Sequence, residues 1–286
     1  MSEAVSAFLL DLDGTLYTER GVVPGAVEAV RDLRRRGVPV RFVTNTTRRS
    51  RRMVVKRMQG YGFEVEPDEV FTAVVAGGIT LTEQGIRTVA PFVAEEVLEE
   101  LGNFELVGGT AGRPAASCPE AVVMGDLGDD WSPPLLTEAF RYVMDGARLI
   151  ALQRGRYWLG ADGLLLDAGA YVAAIEYATG KEAVVCGKPN PRFFLAAVAS
   201  FGGSADRRVG GSTGDVGTQP PNRRTAEPPI VMIGDDLWAD VQGAQWAGLQ
   251  GWLVRTGKFR QDELQSSGIR PDRVIDSVAD LSGQGE

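Results

Sequence analysis

The chain is expected to be an α/β protein, a doubly wound and mainly parallel sheet with a smaller α/β domain inserted into it. Three observations predict this. Short apolar runs alternate with helical stretches, the pattern of repeated βαβ units. Several of these runs are apolar throughout, as strands covered on both faces are. The alternation starts afresh near residue 87, and the outer pattern returns near 183.

The first strand is 7–10, an apolar run that ends at Asp11. A helix over 24–36 opens at Pro24-Gly25 and closes at Gly37, with Val27, Val30 and Leu33 along one side. The strand 38–43 ends at Thr44-Asn45-Thr46-Thr47, which reads as a helix N-cap region. The next helix, 48–59, stops at Gly60; a short strand at 70–73 and a helix over 76–84 follow. Inside the insertion, strands fall at 88–93, 105–107, 121–124 and 148–152, and 164–166 is extended. Its helices are 95–101, 135–144 and 170–178, the last closed by Gly180. The outer domain is expected to resume with a strand at 183–186, then Gly187-Lys188-Pro189 and a helix over 191–200. An apolar strand at 230–233 ends at Gly234-Asp235-Asp236, and 252–254 is read as the last core strand. The domain limits are therefore 1–86, 87–182 and 183–286.

Segment 202–229 breaks the rhythm. It is rich in Gly, Pro, Ser, Thr and Arg, and buries too little apolar surface to offset chain entropy. It reads as a flexible excursion, with a partner-binding or regulatory segment as the other reading. Residues 282–286 are expected to fray.

Composition narrows the function. At 286 residues, with 44% hydrophobic and 24% charged, the chain is an ordinary globular protein of one large or two modest domains. A net charge of −8 argues against a nucleic-acid partner, which needs a basic face. No run reaches the ~18 apolar residues of a membrane span, and none resembles a signal peptide. A cytoplasmic enzyme without a membrane partner is expected. The two cysteines, Cys118 and Cys186, lack metal-ligand spacing and read as free thiols. The chain contains no histidine, which excludes Ser-His-Asp triads, Cys-His nucleophiles and His-ligated zinc. Catalysis is left to carboxylates, lysine, hydroxyls and a hard metal.

Residues of those types stand at four strand ends: Asp11 and Asp13; Thr44 and Asn45; Lys188; and Asp235, Asp236 and Asp240. Ligands of open α/β sheets bind at such ends. Of two neighbouring carboxylates there, one can attack and hold a metal while the other moves protons. Each has an ordinary reading as well. Asp-x-Asp is often a turn, Thr44 or Thr46 caps a helix, Lys188 is a solvated loop lysine, and Asp240 is a plain helix residue. Four at separate strand ends are harder to attribute to chance. The basic run of Arg48, Arg49, Arg51, Arg52, Lys56 and Arg57 reads as a solvated helix face or as a rim that steers anions. Arg154, Tyr157 and Trp158 are either contacts for a leaving group or ordinary packing, and Asp167-Ala168-Gly169 is a candidate loop toward the active site.

Phe8-Leu-Leu-Asp-Leu-Asp-Gly-Thr-Leu16, Val43-Thr-Asn45, Gly187-Lys-Pro189 and Ile233-Gly-Asp-Asp-Leu-Trp-Ala-Asp240 together resemble the four motifs of the haloacid dehalogenase superfamily. The insertion resembles the α/β cap of its NagD-like branch. Arg148-Leu-Ile-Ala-Leu-Gln153 and Leu166-Asp-Ala-Gly-Ala-Tyr171 are most similar to the phospholysine phosphohistidine inorganic pyrophosphate phosphatase group. The resemblance implies a Mg²⁺-dependent phosphatase acting on small phosphorylated metabolites. Asp11 would be the nucleophile, already ionised at neutral pH and forming an aspartyl-phosphate. Asp13 would protonate the leaving oxygen and then activate water. The metal ligands would be the Asp11 carboxylate, the Asp13 main-chain carbonyl and Asp235. Thr44, Asn45 and Lys188 would bind phosphate, and Asp236 and Asp240 would orient the metal or Lys188. The resemblance also implies that halide-transferring members and ion pumps lack an aspartate at the position of Asp13, so its presence favours phosphoryl hydrolysis. The exposed face of such a cap is compatible with a homodimer. A phosphotransferase or mutase would use the same residues, and a non-catalytic phospho-ligand sensor has only segment 202–229 in its favour.

Overall fold

The computed structural model describes residues 5–113, 117–160, 163–202 and 228–282. The readings of 202–229 as an excursion and of 282–286 as fraying fall on 203–227 and 283–286, outside the described residues. The chain divides into two compact units. Met1–Val43, Met58–Glu69 and Pro191–Glu286 form one; Thr44–Arg57 and Val70–Asn190 form the other. Both are α/β with mainly parallel sheets, as the sequence predicted.

In the first unit five strands pair in parallel, in the order Arg273–Ile275, Gln250–Val254, Ile230–Gly234, Ala7–Asp11 and Val40–Thr44. The register sets Leu10 opposite both Ile233 and Phe42. Every residue of Ala7–Asp11 is buried, which explains why its sequence is continuously apolar up to the aspartate. Leu9 and Leu10 are fully buried, each contributing roughly 1.5–3 kcal/mol of transfer free energy. Phe8 meets Trp252 edge to face, with centroids 5.9 Å apart. Helix Ala26–Arg35 buries Ala26, Ala29, Val30 and Leu33, a stripe at helical spacing. Helix Pro191–Ala199 buries Phe193, Phe194 and Ala197.

Gln250–Val254 is not the last core strand. Arg273–Ile275 pairs outside it, and only Ile275 of its three residues is buried. An edge strand with one buried side chain leaves no periodicity to read.

The second unit holds another parallel sheet, ordered Val184–Val185, Arg148–Ala151, Ala121–Met124, Thr88–Phe92 and Glu105–Leu106. The run 183–186, expected to return the chain to the outer domain, instead pairs with Arg148–Ala151 in this sheet. Its apolar character announces a strand but not its partner. Helices Ala73–Glu83, Pro133–Met144 and Ala168–Thr179 begin two or three residues before the expected positions. Thr72 and Asp167 accept N-cap hydrogen bonds from Val75 and Ala168, which sets two of those starts. Glu95–Leu101 is a 3₁₀-helix rather than an α-helix; buried Val97 and Leu101 suit either form. Tyr157–Gly160 pairs antiparallel with Gly163–Leu166, giving the extended segment 164–166 its partner. Trp131 stacks on Phe92 at 6.4 Å and on Tyr171 at 4.7 Å within this unit's core.

Cys118 is exposed and Cys186 buried, and both are free thiols. Burial pushes the Cys186 thiol up to about 11, with a hydrogen bond to Thr80 pulling the other way. Among the described residues no helix is long and apolar enough to cross a membrane.

Candidate functional site

The first unit gathers three of the predicted carboxylates. Asp11 ends the strand Ala7–Asp11, and Asp235 follows the neighbouring strand Ile230–Gly234. Asp240 lies on the π-helical turn Leu237–Gln242. Ligand oxygens of the three lie within 4.8 Å of one another, and all three residues are buried. Turns of this rare kind are frequent at functional sites. Here the turn bends the chain so that Asp240 returns to the strand end. Its Oδ2 accepts from the Asp236 N–H at 3.1 Å. Asp236 caps the turn, its Oδ1 accepting from Trp238 and Ala239 at 3.1 and 2.8 Å.

Burial pushes the Asp235 carboxyl well above the usual carboxylate range, and Asp11 and Asp240 push the same way. A main-chain hydrogen bond from Lys258, at 2.7 Å to Oδ2, opposes them. Buried like charges at this separation are costly unless a cation or a proton joins them. A set of hard oxygen donors fits Mg²⁺. The sequence expected the Asp11 carboxylate, the Asp13 main-chain carbonyl and Asp235 as ligands. The Asp13 side chain is exposed, and the third carboxylate beside those of Asp11 and Asp235 is that of Asp240.

Gly14 makes the approach of Asp235 feasible. Its φ is +91°, and a Cβ there would fall 1.9 Å from Asp235 Oδ2. The reversal expected after the strand is tight: the Leu12 carbonyl accepts from Thr15, Leu16 and Tyr17. Thr15 Oγ1 donates to Asp11 Oδ2 at 3.4 Å.

Thr44, Asn45 and Lys188 belong to the second unit. Thr44 is buried at the end of Val40–Thr44, its Oγ1 accepting from the Thr46 N–H at 3.1 Å. Neither Thr44 nor Thr46 caps the next helix. That helix, Arg51–Gly60, starts after Ser50, whose Oγ accepts from Met53 at 3.4 Å. Asn45 grips Lys188 by its main chain from both sides. Its Oδ1 accepts from the Lys188 N–H at 2.8 Å, and its Nδ2 donates to the Lys188 carbonyl at 2.9 Å. Lys188 is buried. Gly187 admits this clamp, because a Cβ there would lie 2.6 Å from Asn45 Oδ1 and 2.7 Å from the Leu152 carbonyl.

The basic run is partly paired inside the second unit. Arg48 lies 3.8 Å from Asp126 and over the Trp158 ring at 5.9 Å, and Arg52 lies 3.2 Å from Glu99. Arg154 pairs with Glu176, Tyr157 is exposed, and Asp167 serves as a helix N-cap that also accepts from Gln153. Thr256, Gly257 and Lys258, which reach Gly14 and Asp235, were not singled out from the sequence. The available signal was a Thr-Gly-Lys run shortly after an apolar strand.

Comparison with known proteins bears on this arrangement. Residues 8–106 match the family model described as haloacid dehalogenase-like hydrolase, and 185–281 match a second, HAD-hydrolase-like model. The human haloacid dehalogenase-like hydrolase domain-containing protein 2 is 37% identical over 274 residues, covering 96% of this chain and 93% of that protein. The rat phospholysine phosphohistidine inorganic pyrophosphate phosphatase is 34% identical over 282 residues, covering 96% and 92%. Among solved structures, a Mycobacterium tuberculosis glycerol phosphate phosphatase in complex with magnesium aligns with a TM-score of 0.78 and 26% identity. That alignment covers 97% of this chain and 76% of the other.

Proposed function

The chain belongs to the haloacid dehalogenase-like hydrolases and is a phosphatase, and on that premise we propose that it hydrolyses small phosphorylated metabolites with Mg²⁺, through phospho-Asp11. The observation that carries this reading is the buried Asp11–Asp235–Asp240 group at adjacent strand ends.

Asp11 attacks phosphorus, and the bond from phosphorus to the leaving atom breaks. Asp13, exposed and two residues on, gives that atom a proton. The same carboxylate then takes a proton from the water that cleaves phospho-Asp11, releasing inorganic phosphate. Asp11, Asp235 and the Asp13 main-chain carbonyl would hold the cation, with the Asp240 carboxylate beside them. A bound Mg²⁺ supplies the positive charge that lets two anions meet. The Thr44 hydroxyl and the Lys188 ammonium take the phosphoryl oxygens. Asn45, read from the sequence as a phosphate contact, acts here through Lys188, and Asp236 acts by capping the turn that carries Asp240. Segment 87–182 is the body of an inserted NagD-like cap that excludes water and limits substrate size. The named substrates of relatives, including phospholysine, pyrophosphate and glycerol phosphate, put P–N, P–O–P and P–O–C bonds in scope.

The test is inorganic phosphate release from a panel spanning those three bond classes, with Mg²⁺ and with EDTA. Release with Mg²⁺ and none with EDTA is expected. Transfer to an added alcohol with little free phosphate would instead identify a phosphotransferase.

A second expectation concerns protons. Asp235 titrates higher in the folded state than unfolded, so the metal-free fold binds the extra proton. Its stability therefore falls as pH rises through the range between the two values. Mg²⁺ competes with that proton. The Mg²⁺-induced rise in Tm is expected to be larger above that range than below it. An equal rise at both would remove the carboxylate group as the binding site.

Replacing Asn45 with Ala removes both hydrogen bonds that fix the Lys188 main chain. A loss of roughly 100-fold in kcat/KM is expected, the scale of a ~1 Å misplacement. Phosphate release at wild-type efficiency would show that the clamp is dispensable.

A further inference from the structure

Residues 256–258 follow the strand Gln250–Val254 and play no part in the chemistry above. They make two hydrogen bonds to carboxylates of the acidic centre and one to the turn beside it. The Lys258 N–H donates to Asp235 Oδ2 at 2.7 Å, and Lys258 Nζ donates to Asp236 Oδ2 at 3.2 Å. Thr256 Oγ1 donates to the Gly14 carbonyl at 2.6 Å. Gly257, with φ +59°, fills the space between. A Cβ there would fall 1.9 Å from Asp235 Oδ2 and 2.6 Å from Gly14 Cα. One oxygen of Asp235 is thus bonded to a main-chain N–H and lies against two glycines, Gly14 and Gly257. The hydroxyl of Thr256 ties those glycines' segments together.

We propose that 256–258 is a positioning element for the divalent-cation site, with Thr256 as its specific side chain. It fixes the orientation of the Asp235 carboxylate and anchors the main chain immediately after Asp13. The proposal rests on the Mg²⁺ reading above. Mg²⁺ demands near-ideal octahedral geometry, so a rotated carboxylate or a displaced carbonyl costs affinity. Groups that orient metal ligands typically account for 10- to 100-fold in affinity or activity. Thr256 touches none of the reacting groups. Its hydroxyl acts through Gly14, whose neighbour Asp13 carries both the proposed carbonyl ligand and the proton-transferring carboxylate.

Thr256→Val tests this, because it exchanges a hydroxyl for a methyl of nearly the same shape; Thr256→Ser keeps the donor. Mg²⁺ binding is measured by calorimetry on EDTA-treated, dialysed protein without substrate. The valine variant is expected to bind Mg²⁺ roughly 10- to 100-fold more weakly, and the serine variant close to wild type. Tight wild-type binding matched by the valine variant overturns the proposal alone. A loss that serine does not restore also overturns it, since that pattern marks general damage to the loop. Wild-type protein that takes up no Mg²⁺ overturns the cofactor reading and the proposal together.

Discussion

Asp11→Asn is expected to reduce phosphate release by at least about 10⁴-fold, the scale seen when a catalytic nucleophile is removed. An amide cannot attack phosphorus as a carboxylate does, and no histidine exists in the chain to substitute. The same change should make the metal-free protein more stable. Asp11 raises the proton affinity of Asp235 by charge repulsion, second only to burial. A neutral side chain at 11 relieves that repulsion, so Tm in EDTA should rise above wild type. Mg²⁺ should then stabilise the variant less than it stabilises wild type. Opposite signs for activity and metal-free stability separate loss of a functional charge from loss of fold. A variant that is inactive and also less stable in EDTA would contradict this account of the carboxylate group.

Gly14→Ala should be among the most damaging methyl additions in the described turns. The positive φ alone costs ~1–2 kcal/mol for a residue with a Cβ. The new carbon would also occupy the space of Asp235 Oδ2, at 1.9 Å. Either Asp235 or the turn must move, and a shift of ~1 Å at a reacting centre can cost 10²-fold in rate. Gly37→Ala is the control. Gly37 has φ +70° and nothing within 4 Å of its hypothetical Cβ, so only the backbone cost applies. Urea unfolding in EDTA and kcat/KM with Mg²⁺ should show Gly37→Ala mildly destabilised and fully active. Gly14→Ala should lose both stability and rate. Comparable effects at the two positions would mean that the contact with Asp235 is not what glycine serves.

Much of this arrangement was legible because buried parallel strands advertise themselves. Ala7–Asp11 and Ile230–Gly234 are apolar runs that stop at aspartates, and strand ends are where α/β sheets bind ligands. Arg273–Ile275 was missed because one buried residue makes no pattern. Val184–Val185 was seen as a strand but assigned to the wrong sheet, since pairing is a property of register and not of composition. Asp240 was noticed, yet its place in the carboxylate group depends on a π-helical turn that the sequence does not mark. The hold of residues 256–258 on Asp235 and Gly14 was illegible for a simpler reason. Each of its two hydrogen bonds has a main-chain group at one end, the Gly14 carbonyl or the Lys258 N–H, and every non-proline residue possesses such groups.

The grip of Asn45 on Lys188 spans 143 positions of sequence. In a chain growing from its N-terminus, the asparagine is made long before the lysine it holds. Until Val184–Val185 and the residues after it have emerged, neither of the two hydrogen bonds that fix the lysine can form. The fixed placement of Lys188 should therefore arrive late during synthesis.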